Sequence, residues 1–234
     1  RETMAAGTAG ERKVDFARQV ALAMVENAQR NGDPVASEFV GDEGITERFD
    51  LGTASDHYRA IDAHLRMLEP TASGDGAADT TLIEPARART MAATLTGKTP
   101  FDRKLRPFFD TTTNYVERVA TRPLFRSVQT AATRYPGEVR TIIITDDEHR
   151  TELREAVKLA QRGGGRVVVF VTPTVLYEEG GIGAVEAAYN RYTAFEEFRR
   201  ELAALPRVSA FEVGPADRVQ TVLEAGQSQE RVSQ

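Results

Sequence analysis

The 234-residue chain sets 30 Lys and Arg against 35 Asp and Glu, for a net charge of −5, and is 41% apolar, enough for one sizeable core. It has no Cys, which excludes disulfides, thiolate metal sites and cysteine nucleophiles, and its three histidines (His57, His64, His149) share no metal-binding spacing such as H-E-x-x-H. The acidic balance argues against a nucleic-acid interface, and no run approaches the ~20 apolar residues of a membrane span.

In chain order, "ERKVDFARQVALAMVENAQRNGD" predicts a helix of about five turns, because Val14, Ala17, Ala21, Met24, Val25 and Ala28 recur at steps of three and four. Asn31-Gly32 ends it. "PVASEFVGDE" reads as a short strand and "GITERFDLG" as a second. "SDHYRAIDAHLRMLEP" is the next helix, with Ser55 or Asp56 as N-cap and Pro70 just past its end. Residues 84–135 break the rhythm with three helical stretches that have prolines near their first turns. Alternation then resumes with strand 139–145, helix 149–162, strand 166–171, a long helix 182–204 with Val185, Ala188, Tyr192, Phe195, Phe198 and Leu202 on one face, a strand in "RVSAFEVG" and a last helix in "PADRVQTVLEAG".

Strand–helix alternation at both ends predicts an α/β fold with a doubly wound, mostly parallel sheet. Residues 1–70 and 138–226 would form it, 71–137 would be a helical insertion, and 227–234 a disordered tail. The first helix needs a sheet beneath its stripe, so a strand is expected upstream of Arg1, with Met4 in the loop that follows it.

"RTIIITDDEHR" carries the chemistry. Ile142, Ile143 and Ile144 form a continuous run suited to a parallel strand covered on both faces, and it ends in Asp146 and Asp147. Ligands of such sheets bind beyond the carboxyl ends of the strands. Asp146 is therefore either a working carboxylate or, with Asp147, part of the cap of the next helix, and this stretch alone does not separate the two. "RGGGR" (162–166) lacks the Lys-Ser/Thr of a phosphate loop and leads into a strand, which favours a helix C-cap with a turn. "EEGGIGAVEAAYN" places two glutamates where they would repel an anion. In the insertion, Phe101, Leu105, Phe108, Phe109, Tyr115, Leu124 and Phe125 either dock a partner or pack its helices, packing being the commoner role.

The first helix, "FVGDEG", the aromatic stretches "TPFDRKLRPFF" and "RPLFRSV", and "IIITDDEHRTELREAVKLA" together resemble the domain-of-unknown-function 58 family, whose members contain a von Willebrand factor A-like domain. The resemblance runs from residue 1 to about residue 175. It implies a metal-ion-dependent adhesion site, commonly holding Mg²⁺, built from D-x-S-x-S in the first loop, a Thr in the second and a later Asp. Carried over, the pattern puts its first Asp upstream of this chain, its hydroxyl positions at Arg1 and Thr3, its second-loop Thr at Thr53 and its last Asp at Asp146. Arg offers donors and no lone pair, so Arg1 cannot be a ligand. The site is thus expected to be degenerate, with the Arg1 guanidinium neutralising Asp146 in place of Mg²⁺.

The resemblance further implies a non-enzymatic interaction module working with a MoxR-type AAA ATPase in assembly or maturation of client complexes. Arg1, Asp146, Asp147, Phe108 and Phe109 would be its contact residues. It also implies a cytoplasmic location, with tethering through an upstream membrane segment. The competing expectation is a Mg²⁺-dependent phosphohydrolase using Asp146. Arg, Asp and Glu in excess over Lys give the chain a haloarchaeal-like composition.

Overall fold

A computed structural model describes residues 1–8, 10–71, 119–162, 164–177 and 185–215. Its elements are α1 (Lys13–Asn31), β1 (Val35–Val40), β2 (Ile45–Gly52), α2 (Ser55–Met67), α3 (Pro123–Arg134), β3 (Arg140–Asp146), α4 (Arg150–Gln161), β4 (Arg166–Thr172), α5 (Val185–Ala203) and β5 (Val208–Glu212). Single 3-10 turns occupy Glu2–Ala5 and Thr174–Tyr177.

The strands form two separate sheets, which corrects the expectation of one continuous doubly wound sheet. β3, β4 and β5 pair in parallel in that order, with Asp146 beside Thr172 and Val167 beside Val208. β1 and β2 form an antiparallel hairpin, running from Val35 beside Gly52 to Val40 beside Ile45. The class remains mixed α/β.

Side-chain parity explains the layering. Ile143 with Val167, Val169, Val171, Val208 and Ala210 points to one face of the parallel sheet. There these residues are buried against Leu153, Ala156 and Val157 of α4 and Tyr192, Phe195, Phe198 and Leu202 of α5. The α5 stripe read from the sequence is the one that packs. Ile144 points to the opposite face, where it meets Met4 and, from α1, Val14 and Ala17. Helices therefore cover both faces. The isoleucine run is not buried throughout, however: Ile142 is 39% exposed among the described residues.

Two helices tie the sheets together. The first turns of α1 pack on β3, while its second half, through Ala21, Leu22, Val25 and Ala28, joins Tyr58, Ile61 and Leu65 of α2 over the hairpin's Phe39 and Phe49. With 19 residues α1 spans about 28 Å, long enough to serve both. Gly32, at φ 70°, closes it by donating its amide to the carbonyls of Ala28 and Gln29. α3 is the second tie. It lies within the stretch read as the insertion, yet packs on α4 and β1, with Leu124 and Phe125 against the main core and Ser127 Oγ donating to Glu38 Oε2 at 2.6 Å. No helix among the described residues is long and apolar enough to cross a membrane.

Candidate functional site

β3 ends in a nearly dry polar cluster. Asp146 is 2% exposed; its Oδ1 accepts the Glu148 amide at 3.2 Å, and its Oδ2 has no hydrogen-bond donor. The cation nearest that oxygen is the Lys13 ammonium, at 3.6 Å. Lys13 opens α1 and is 1% exposed; it donates to Thr174 Oγ1 at 2.8 Å and lies 3.7 Å from Glu148 Oε1. A buried lysine beside a buried carboxylate is an internal ion pair, each charge offsetting the other's lost hydration.

Arg1 does something other than the sequence suggested. Its guanidinium, almost wholly buried, donates to Glu152 Oε1 at 2.8 Å, and it is Lys13 that pairs with Asp146. Glu152 is buried in the first turn of α4, and the same oxygen accepts the Leu124 amide at 2.7 Å, so one carboxylate ties Arg1 to the start of α3. Asp147 is not a helix cap. Its Oδ1 accepts the Thr174 amide at 2.7 Å and its Oδ2 accepts Nε of Arg150 at 3.2 Å, fastening the end of β3 to the turn after β4. The N-cap of α4 is instead His149, and that of α2 Ala54, neither with a side-chain cap hydrogen bond; this corrects the Ser55 or Asp56 assignment.

Thr3 and Thr53 part company. The turn holding Thr3 packs on β3 and α1, and Thr3 Oγ1 is buried without a hydrogen-bond partner. Thr53 follows Gly52, which pairs with Val35 at the start of β1, so it sits at the far end of the hairpin from the loop after Val40. That loop faces the cluster: Asp42 Oδ2 accepts the Glu2 amide at 2.8 Å and the Thr71 hydroxyl at 2.7 Å. The hydroxyl delivered to this edge by the second helix is therefore Thr71. Phe108 and Phe109, with Phe101, Leu105 and Tyr115, lie outside the described residues.

The electrostatics follow the geometry. Burial pushes the Asp42 carboxyl up, but the Thr71 hydroxyl, the Glu2 amide and the Arg1 charges outweigh it and hold the group below its ordinary 3.8. At the end of β5, burial raises Glu212 above its ordinary 4.5, although Tyr192 donates to it at 2.8 Å.

The donor set does not suit Mg²⁺, a hard cation that needs several oxygen ligands. An ammonium stands beside the donorless Oδ2 of Asp146, and no three Asp, Glu, His or Cys among the described residues are grouped to hold a metal. His57 and His64 are engaged elsewhere: His57 Nε2 lies 2.8 Å from the Val35 carbonyl, and His64 packs against Phe39, both in the hairpin half.

Sequence reasoning passed over Lys13, although a signal was there. A cation in the first turn of a helix opposes the macrodipole, so a lysine at that position in a lysine-poor chain is held by something else. Thr71 was findable by length: the 13 residues of α2 span about 20 Å, as does a six-residue strand, so α2 returns the chain to the edge that β1 left. No protein-family model matches this chain, and no curated protein or solved structure matches it.

Proposed function

We propose that this chain is a von Willebrand factor A-like protein-interaction module, working with a MoxR-type AAA ATPase, in which a resident lysine takes the part of the metal ion. The observation that carries the reading is the Lys13–Asp146 pair, buried at the carboxyl end of β3 where such domains bind a cation. A fixed ammonium keeps the edge neutralised and ordered without an exchangeable ion. It also disfavours the phosphohydrolase reading, because a lysine-paired, buried Asp146 is poorly placed to bind a catalytic cation or attack phosphorus.

The finer fold reading has its own support. Among the described residues β1 and β3 each pair on one side only, and beyond their carboxyl ends Asp42 accepts the Glu2 amide while the turn holding Thr3 packs on β3. An extended segment leading into Arg1 would run between the two free edges, parallel to both, and join the sheets.

Arg1, Asp146 and Asp147 are buried, so their contribution to a partner surface is to shape the loops around them. Accessible carboxylates at this edge include Asp42 and Glu148, with Glu2 and Glu43 also exposed beside Asp42. The test is co-precipitation with a co-encoded MoxR-type ATPase of three proteins: wild type, Glu148→Lys, and Phe108→Ala with Phe109→Ala. Loss of binding by Glu148→Lys at an unchanged melting temperature supports the edge as the contact. Binding of both variants at the wild-type level refutes the proposal.

A further inference from the structure

The opposite end of the parallel sheet holds a second charged constellation. β3 and β4 both begin with arginine, and the register sets Arg140 directly beside Arg166. The next strand begins one residue after Arg207, whose carbonyl accepts the Val167 amide, so a third arginine stands in the same row. Neighbouring strands are about 4.8 Å apart, and like charges directly opposite one another repel.

Little within the described residues relieves that repulsion. Arg140 and Arg166 are exposed and make no hydrogen bond or ion pair there, whereas Arg207 donates to the Gly164 carbonyl. Arg207 is also the one non-glycine residue among those described with a positive φ, 60°, a conformation L residues rarely adopt. The backbone carries it into the left-handed region, and its guanidinium is fastened to the glycine turn. All three arginines line one cavity of about 390 Å³, together with Ser209 and the apolar side of Val168. That volume is in the range of small-molecule sites. In a chain of net charge −5, three guanidinium groups lining one hollow require a physical reason.

We propose that this cavity binds a multivalent phosphate group, with Arg140 and Arg166 as the forked donors, Ser209 as a hydroxyl donor and Arg207 as the rim. Guanidinium matches phosphate geometry with two parallel N–H bonds, which a carboxylate-lined or lysine-lined hollow would not do. The glycines of "RGGGR" serve the site indirectly. Gly164, at φ 80°, makes the turn, and Gly165 lies so close to the Val139 carbonyl that no side chain fits, which brings the starts of β3 and β4 into line. Recognition comes from side chains at strand starts, with no part for backbone amides at a helix start.

Titration of the full chain with tripolyphosphate, followed by calorimetry at low and high salt, tests this. One saturable site is expected, weakened about tenfold or more by Arg140→Gln and by Arg166→Gln, since each removes a charge-assisted pair. Lys158→Gln, on α4 and paired to Glu155, should bind as wild type. Both arginine side chains are exposed, so the variants should melt as wild type does. Absence of saturable binding overturns the proposal, as does undiminished binding by an Arg140→Gln, Arg166→Gln double variant. Tighter binding of a hexaglutamate peptide than of tripolyphosphate, with the same arginine dependence, overturns it too, because the row would then be a docking site for acidic peptide.

Discussion

Replacing Lys13 with Met keeps the length and apolar stem of the side chain and removes only the ammonium. Asp146 would then retain a single donor, the Glu148 amide, for a carboxylate that is 2% exposed. Stripping one partner from a buried ion pair costs about 3–5 kcal/mol, because the other charge stays buried and uncompensated. In a chain of this size each kcal/mol moves the melting temperature by about 2–4 °C, so Lys13→Met should melt about 6–20 °C lower. Asp146→Asn should cost less: Lys13 keeps Thr174 and Glu148, and the Asn carbonyl oxygen can still accept the Glu148 amide. The double variant leaves neither charge of the buried pair, only the accessible Glu148 without Lys13, and should recover to within about 1 kcal/mol of Asp146→Asn. Urea denaturation of the four proteins, followed by circular dichroism, closes the cycle. A Lys13→Met cost below about 1 kcal/mol, or a double variant as unstable as the sum of the singles, would refute the claim that this ammonium neutralises Asp146.

Other expectations follow from the same structure. Wild type should show no saturable Mg²⁺ heat and no Mg²⁺-dependent rise in melting temperature, since Lys13 stands beside the orphaned Asp146 oxygen; stoichiometric binding at millimolar Mg²⁺ would contradict this. Gly165→Ala forces a methyl group onto the Val139 carbonyl and should cost about 1–3 kcal/mol or more, measured by denaturant unfolding. Phe195→Ala, at a fully buried position beneath the parallel sheet, should cost about 3–5 kcal/mol in the same assay. Glu212 titrates above its ordinary 4.5 in the folded chain, so its contribution to stability is present below 4.5 and is lost as pH rises through the raised value. Glu212→Gln, which can still accept the Tyr192 hydroxyl, should therefore gain on wild type in melts taken at neutral pH and lose that advantage in acid; a pH-independent difference would contradict the assignment.

The local patterns were legible because they depend on neighbours in the chain. The α1 stripe from Val14 to Ala28, the Gly32 stop, the hairpin strands and the α5 face from Ala188 to Leu202 each follow from a period of 3.6 or 2 and a nearby punctuation residue. The acid at the end of β3 was legible for the same reason, as a polar break after an apolar strand. The partners of that acid were not. Lys13 and Asp146 stand 133 positions apart, and nothing periodic links the first turn of a helix to the end of a distant strand. Equally, Arg1 could be placed near the edge by order in the chain, but whether its guanidinium met Asp146 or Glu152 depended on where α4 docks. Thr53 and Thr71 differ by only one helix, α2, yet that helix carries the chain from one end of the hairpin to the other, so which hydroxyl meets Asp42 follows from its length and direction. Sequence by itself determined which of the described segments are helix or strand and where polar chemistry meets an apolar strand, because those follow from local periodicity and backbone preference. Tertiary structure alone decided that the described strands form two sheets, that a lysine neutralises Asp146, and that three strand-start arginines stand in one row, because pairing across space is set by packing and register rather than by separation along the chain.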